Sequence, residues 1–291
     1  MPVLTLVDLG GYLALDPVEC KRVGSAHRSS FHDAEPFPHL VLDDFLDANV
    51  LRTISRSLPA AENAAVIHSV HHQLKRTWHP QLCACAVTRN LFAELNSQAF
   101  LDFLSAATGV EFLIPDPYFD GSGLHEVLPG GRLGIHQDRN LHAGMKVHRR
   151  VNLLIYLNTD WRDEYGGHLE LWDRQVRQQL KTIAPLFGRA VIFATDQGSF
   201  HGHPDPLNCP PGTSRISLSQ YYYSSEAHLP ALRSRPGALY VPRKGSSDKY
   251  DWHTRLKQLV IDIVPPFAYR TVRRFYRRAR PSQHIRDRSR L

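Results

Sequence analysis

The spacing of apolar residues changes character near residue 111. In 36-EPFPHLVLDDFLDANVLRTISRSLP-60 a short alternating run (Leu40, Leu42) leads into a segment from about Asp47. Its apolar positions Val50, Leu51, Ile54 and Leu58 follow helical spacing until Pro59 stops it. A second helix is predicted in 96-NSQAFLDFLSAATGV-110, with Asn96 or Ser97 as the cap. Phe100, Leu101, Phe103 and Leu104 turn inward, and Gly109 ends it. From residue 111 the chain breaks into short runs rich in Val, Ile, Leu, Tyr and Phe, separated by Gly, Pro, Asn and Asp: EFLIP, LHEVLP, RLGIHQ, RVNLLIYLN, HLELWD, RAVIFAT and RISLSQYYYS. Many short strands with turn signals between them predict an antiparallel sandwich or barrel.

Four regions follow from this pattern. Residues 1–35 read as an extended N-terminal arm, 36–110 as a helical support region, 111–225 as a β core, and 226–291 as a C-terminal helical extension with a basic tail. In that extension, Leu256, Leu259, Val260 and Ile263 of 252-WHTRLKQLVIDIV-264 form a helical stripe. The fold class is α+β, mainly β. No internal repeat is visible.

Composition narrows the function classes. With 291 residues, 42% hydrophobic and 22% charged, the chain is long enough for a sizeable core and has the make-up of a globular protein. No apolar run reaches the roughly 18 residues of a membrane span. The N-terminus carries Asp8 and Asp16 without a basic leader, and so reads as a poor signal peptide. Four cysteines (Cys20, Cys83, Cys85, Cys209) make no disulfide framework, and the Cys83/Cys85 pair reads as buried thiols; a reducing cytoplasm is expected. The formal charge of +7 is uneven. Residues 270–291 hold nine Arg and one Asp, a charge of +8, which leaves residues 1–269 at −1. A nucleic-acid-binding core is therefore not expected. The tail, which interleaves Phe and Tyr with Arg, suits an anionic surface and would make the protein peripheral to a membrane.

Candidate chemistry lies in the histidines. With 17 His, about one His-x-Asp is expected by chance, so the occurrence of His136-Gln137-Asp138 and of His203-Pro204-Asp205, beside His168-Leu169-Glu170, proves nothing alone. Context separates them. Prolines flank His203-Pro204-Asp205, which reads as loop. In HLELW the leucines take the buried face, leaving His168 and Glu170 outside. His136-Gln137-Asp138 follows Leu133 and Ile135 and precedes a polar loop, so two ligand-type side chains leave a strand end on one face. A divalent iron site for oxygen chemistry needs two His and one carboxylate with open positions beside them. The strand VIFAT and the turn after it lead to His201 and His203, both eligible by position. His201 is favoured because Gly202 and Pro204 place His203 in the loop.

Residues 121–223, through GSGLH, PGGRLGIHQD, RRVNLLIYLNTDW, EYGGHLELWD, GRAVIFAT and SFHGHPDP to SRISLSQYYYS, resemble the 2-oxoglutarate/Fe(II)-dependent oxygenase superfamily, in its prolyl 4-hydroxylase-like group. The resemblance implies a double-stranded β-helix (jelly roll) core braced by N-terminal helices. It also implies an Fe(II) site of His136, Asp138 and His201, with Arg215 as the basic residue beyond the distal histidine. In the alternating strand 214-SRISLSQYYYS-224, Arg215 and Ser217 share a face, and a guanidinium fork beside a hydroxyl suits the far carboxylate of 2-oxoglutarate. Asn152 aligns with a family residue that touches the co-substrate. Where many members carry a tyrosine three residues before the first ligand, this chain has Leu133.

The implied activity is a dioxygenase that hydroxylates a C–H bond of a peptidyl prolyl-like or small-molecule substrate. It consumes O2, turns 2-oxoglutarate into succinate and CO2, and takes ascorbate as an accessory reductant. Because Asp138 supplies the carboxylate that halogenating relatives lack, hydroxylation is expected. His125, His142, His148 and Arg149 cluster in sequence around the site and are the first choices for substrate contacts; Trp161 and Trp172 are expected to pack. Two rival readings are a non-catalytic jelly-roll binding module and a zinc hydrolase using the same three ligands. A hydrolase has no use for the Arg215–Ser217 anion clamp.

Overall fold

A computed structural model describes residues 1–225 other than 68, 70, 143, 196 and 197, together with 238–246 and 248. The predicted C-terminal helix and the Arg-rich tail lie outside the described residues.

The N-terminal region departs from the expected extended arm. It forms a two-stranded sheet of β1 (Leu6–Asp8) and β2 (Leu13–Leu15), then helices α1 (Pro17–Ala26) and α2 (Arg28–His32). Asp16 caps α1 by accepting from the Glu19 amide at 2.7 Å, with Pro17 in the first turn. The apolar stripe of α1 is only Cys20 and Val23, too thin to register as periodicity, and both are buried. Next come β3 (His39–Leu42) and α3 (Ala48–Arg56), whose cap Asp47 accepts from the amides of Asn49 at 2.8 Å and Val50 at 3.2 Å. A hairpin of β4 (Ala65–Ile67) and β5 (His72–Trp78) and the helix α4 (Ala86–Glu94) were not anticipated by the sequence pattern. Helix α5 (Gln98–Thr108) has Ser97 as its cap and closes at Gly109 with φ 70°.

The β core contains β6 (Gly123–Gln137), β7 (His148–Tyr156), β8 (Leu169–Trp172), β9 (Gln179–Ile183), β10 (Ala190–Ala194), β11 (Phe200–His203) and β12 (Arg215–Ser224). A short β13 (Leu239–Tyr240) returns to it. All pairs are antiparallel, and the strand order is β3-β10-β7-β12-β6-β11-β8-β9, with β5 and β13 also on β6 and β4 on β5. This is a nearly closed jelly-roll barrel. LHEVLP and RLGIHQ, two strands in the sequence pattern, are two halves of the single strand β6. Its first half pairs with β12 and its second with β11, so β6 passes from one sheet to the other. The kink falls at Gly130, φ 77°, and Gly131, where a Cβ would lie 2.5 Å from Val127 Cγ1 and 2.8 Å from the Gln73 carbonyl.

Strand alternation gives the larger sheet two different faces. Leu153, Ile155, Ile192, Leu218 and Tyr222 are fully buried in one apolar cluster with Phe45, Leu51, Leu91, Phe100, Phe103 and Leu104 from the helical layer and its connections. The opposite face looks into the barrel. There Phe37, Leu169, Leu171, Ile183, Val191 and Phe193 form a second apolar cluster, and the remaining interior is a cavity of about 270 Å³. The helices thus cover the back of the sheet whose front carries the polar site.

Phe103 is 0% exposed and packs on Phe45 and Phe100 with ring centroids 5.9 and 5.5 Å away. Phe103→Ala should destabilise the protein by about 3–5 kcal/mol through the cavity left behind. Phe112→Ala, at a ring 89% exposed, should cost no more than about 0.5 kcal/mol. Equilibrium denaturation of the two variants checks the contrast.

Candidate active site

His136 and His201 face each other across the β6–β11 pair, in direct register. Gly202 makes the close approach feasible, since a Cβ there would sit 2.8 Å from both the Leu133 and the Gly134 carbonyl oxygens of β6. The imidazole centroids are 4.5 Å apart. Each ring is oriented the same way: Nδ1 of His136 donates to the Gly134 carbonyl at 3.0 Å, and Nδ1 of His201 to the Ser199 carbonyl at 3.0 Å. That arrangement fixes the tautomer and leaves both Nε2 lone pairs free. Both point at one carboxylate, with His136 Nε2 3.5 Å from Asp138 Oδ1 and His201 Nε2 3.8 Å from Asp138 Oδ2. Donor atoms of His136, Asp138 and His201 all lie within 4.8 Å of one another, the one such trio among the described residues.

The protonation states suit a metal. Burial pulls His201 down to about 4, with the neighbouring His136 adding to the shift. Burial alone would raise Asp138, but His136 beside it and the charge of Arg149 hold it well below the usual carboxylate range. Above pH of about 4 the trio therefore offers a neutral imidazole at His201 and a carboxylate, the ligand forms a divalent ion requires. Two oriented imidazoles and one carboxylate on one side of an open cavity are the donor set of a mononuclear Fe(II) centre, and these residues fit such an ion.

The surrounding groups hold the carboxylate. Asn152 Nδ2 donates to Asp138 Oδ2 at 2.6 Å and Arg149 Nη1 lies 3.4 Å from the same oxygen. The Arg149 guanidinium is itself sandwiched on Tyr221, 3.7 Å from its centroid. Asn152, expected at the co-substrate, and Arg149, expected at the substrate, thus both contact Asp138. Both line the cavity, as does His125, whose Nδ1 pairs with Ser219 Oγ at 3.2 Å. His142 and His148 are not in that lining. His142 is buried 3.4 Å from Asp116 and accepts from the amides of Gly144 and Met145, organising the loop between β6 and β7. His203, expected in a loop, is the last residue of β11; it is buried and lines the cavity with Nδ1 unpartnered. Trp161 packs with Val127, Leu207 and Cys209, and Trp172 packs against Ile135, Val176 and Phe200.

Arg215 and Ser217 enter the cavity on one face of β12. Arg215 is 6% exposed. Its Nε donates to the Gly167 carbonyl at 2.7 Å and its Nη2 to the Tyr156 hydroxyl at 3.1 Å, leaving the Nη1 end for an anion. Sequence reasoning missed Tyr156, although it shares strand parity with Asn152 on β7. It also missed Lys75, Thr77 and His72 of β5, where Leu74 at φ 52° and a bulge break the alternation. Tyr240 of β13 was missed as well; it stacks on His136 at 5.2 Å and on His71 at 4.1 Å.

Two histidines and one aspartate converging at the edge of a jelly-roll cavity are arranged so that they could hold a single metal ion. Residues 122–223 match the family described as the 2OG-Fe(II) oxygenase superfamily. Prolyl 3-hydroxylase OGFOD1 of Mus musculus is 25% identical over 231 residues, covering 76% of this chain and 38% of that protein, so the chain spans well under half the length of this relative. Among solved structures, a prolyl-4-hydroxylase of Pseudomonas putida is 18% identical, over 70% of this chain and 100% of that one, with a TM-score of 0.49. A prolyl hydroxylase of Trichoplax adhaerens, solved with a hypoxia inducible factor peptide fragment, is 15% identical over 71% and 91%, with a TM-score of 0.49. Over residues 122–223 the chain is thus similar to the 2-oxoglutarate- and Fe(II)-dependent oxygenases, and over a longer span to a prolyl hydroxylase.

Replacing Asn152 by Leu removes the 2.6 Å bond that orients Asp138. Metal affinity should fall about 10- to 100-fold, as for other groups that orient a metal ligand. Titration with Co(II) or Mn(II) measures it, with an unchanged circular dichroism spectrum as control.

Proposed function

We propose that the protein is a 2-oxoglutarate-dependent hydroxylase acting on a C–H bond of a peptidyl prolyl-like or small-molecule substrate. The observation that carries this reading is the sharing of one cavity by the His136–Asp138–His201 trio and the buried Arg215–Ser217 pair. A hydrolytic metal has no use for a second, fixed cation some distance from it, whereas a dicarboxylic 2-oxo acid needs an anchor at each end.

In this reading His136, Asp138 and His201 hold the iron. Bound Fe(II) supplies O2 activation coupled to conversion of 2-oxoglutarate into succinate and CO2. The chain itself positions and excludes water. Arg215, braced by Gly167 and Tyr156, receives the distal carboxylate, and Ser217 stands beside it to donate its hydroxyl. Arg149 and Asn152 keep Asp138 ionised and aimed. The apolar wall from Leu154, Leu169 and Phe193 keeps the interior dry, which strengthens each of these electrostatic contacts. At about 270 Å³ the cavity lies just below the usual range of ligand sites, about 300–1,000 Å³. It suits a small dicarboxylate with the reacting part of the substrate at the mouth. The prolyl substrate class is supported by the mouse relative, whose own activity is prolyl 3-hydroxylation. Ascorbate would serve as the reductant that restores Fe(II).

With Fe(II), O2 and 2-oxoglutarate the protein should form succinate even without substrate, at a slow uncoupled rate. Asp138→Ala should abolish this. Arg215→Met should raise the KM for 2-oxoglutarate at least about tenfold, the loss of a buried charge-assisted contact. Succinate assays on wild type and both variants decide it; activity retained by Asp138→Ala would refute the ligand assignment.

A further inference from the structure

Four cationic side chains line the cavity: Lys75, Arg139, Arg149 and Arg215. Two are matched by carboxylates, Arg139 by Asp120 at 2.7 Å and Arg149 by Asp138 at 3.4 Å. Asp138 is the one carboxylate in the described lining, and its ion partners are His136, Arg149 and His201. Lys75 and Arg215 therefore face the same small space with no carboxylate bonded to either among the described residues. Their placement is a matter of register. Arg215 of β12 pairs with Val127 of β6, and Val127 pairs with Lys75 of β5, so the three stand in one row on the inner face. The next row is Tyr156, Ser217, His125 and Thr77. Two strand spacings separate the Lys75 and Arg215 backbones, about 10 Å, a gap within the combined reach of two such long side chains.

We propose that Lys75 is a second cation for 2-oxoglutarate, closing with Arg215 on its distal carboxylate. The inference rests on the dioxygenase reading above. Arg215 cannot wrap the carboxylate from every side, because its Nε is committed to Gly167 and its Nη2 donates to Tyr156. Lys75 approaches from the opposite flank of Val127. The histidines near this pair, His72, His125 and His203, are all held below their ordinary range by burial, so they add no positive charge there. Burial likewise pulls the Lys75 ammonium down to about 8, with Asp138 opposing the shift and Arg215 adding to it. An ammonium so placed gains from an arriving carboxylate. A carboxylate on the primary substrate would offer the same chemistry, so the test is made without any substrate.

The experiment is calorimetric titration of 2-oxoglutarate into the full chain loaded with redox-inert Mn(II). Wild type and Lys75→Arg should bind with similar affinity, and Lys75→Met about tenfold more weakly or worse. Lys75→Gln, close in length and polarity but uncharged, should repeat the loss. The weakening should vanish for 2-oxobutanoate, which lacks the distal carboxylate, whereas a merely structural role for Lys75 would weaken both ligands. Equal affinity of wild type, Lys75→Met and Lys75→Gln for 2-oxoglutarate overturns the role of Lys75 alone. Absence of any Mn(II)-dependent binding by wild type overturns the dioxygenase reading, and the Lys75 inference with it.

Discussion

One half-buried carboxylate organises the site. Asp138 lies just past the end of β6, where its two oxygens meet two imidazoles, a guanidinium and a carboxamide. A carboxylate drawn out of water is costly unless it is paired and hydrogen-bonded, and every neighbour here serves that need. The same neighbours set its direction. A divalent ion held by this trio would complete the balance, adding the charge toward which His136 and His201 already turn their Nε2 atoms. The barrel supplies what the carboxylate requires: a strand end, a facing strand brought close by Gly202, and an interior partly walled by apolar side chains.

The division of labour between the sheet's faces explains how a small cavity tolerates so many polar groups. Along β12 each residue that enters the cavity (Arg215, Ser217, Ser219, Tyr221) alternates with one packed toward the helices (Ile216, Leu218, Gln220, Tyr222). The helical layer contributes no ligand, yet its apolar contacts hold β7 and β12 flat enough for their inner rows to align. Side chains from four adjacent strands, from Tyr156 to Thr77, thereby share one row.

Much of this was legible in the sequence where one physical rule acted alone. Ser97, Gly109 and Asp47 mark helix ends through local hydrogen bonding, and they do so in the structure. The reading of His136 and Asp138 as two side chains leaving a strand end on one face rests on local alternation, and in the structure their donor atoms converge with that of His201. What stayed hidden depended on partners distant in sequence. Helix α1 has a thin apolar stripe and is held by packing, not by periodicity. The β4–β5 hairpin carries a bulge at Leu74 that breaks alternation, and Lys75, Thr77 and His72 were lost with it. His203 looked like loop because of Pro204, yet β11 extends to it. Arg149 and Asn152 could be placed near the site from sequence, but only the fold showed that both face Asp138.

Binding of iron by His136, Asp138 and His201 beside a 2-oxo acid is the decisive property of the site. Anaerobic addition of Fe(II) and then 2-oxoglutarate to the full chain should produce the weak visible charge-transfer absorption of the iron-chelated 2-oxo acid, saturating at one equivalent of metal. A protein that binds Fe(II) with no such band, or that binds none, would contradict the assignment of this cavity as a dioxygenase site.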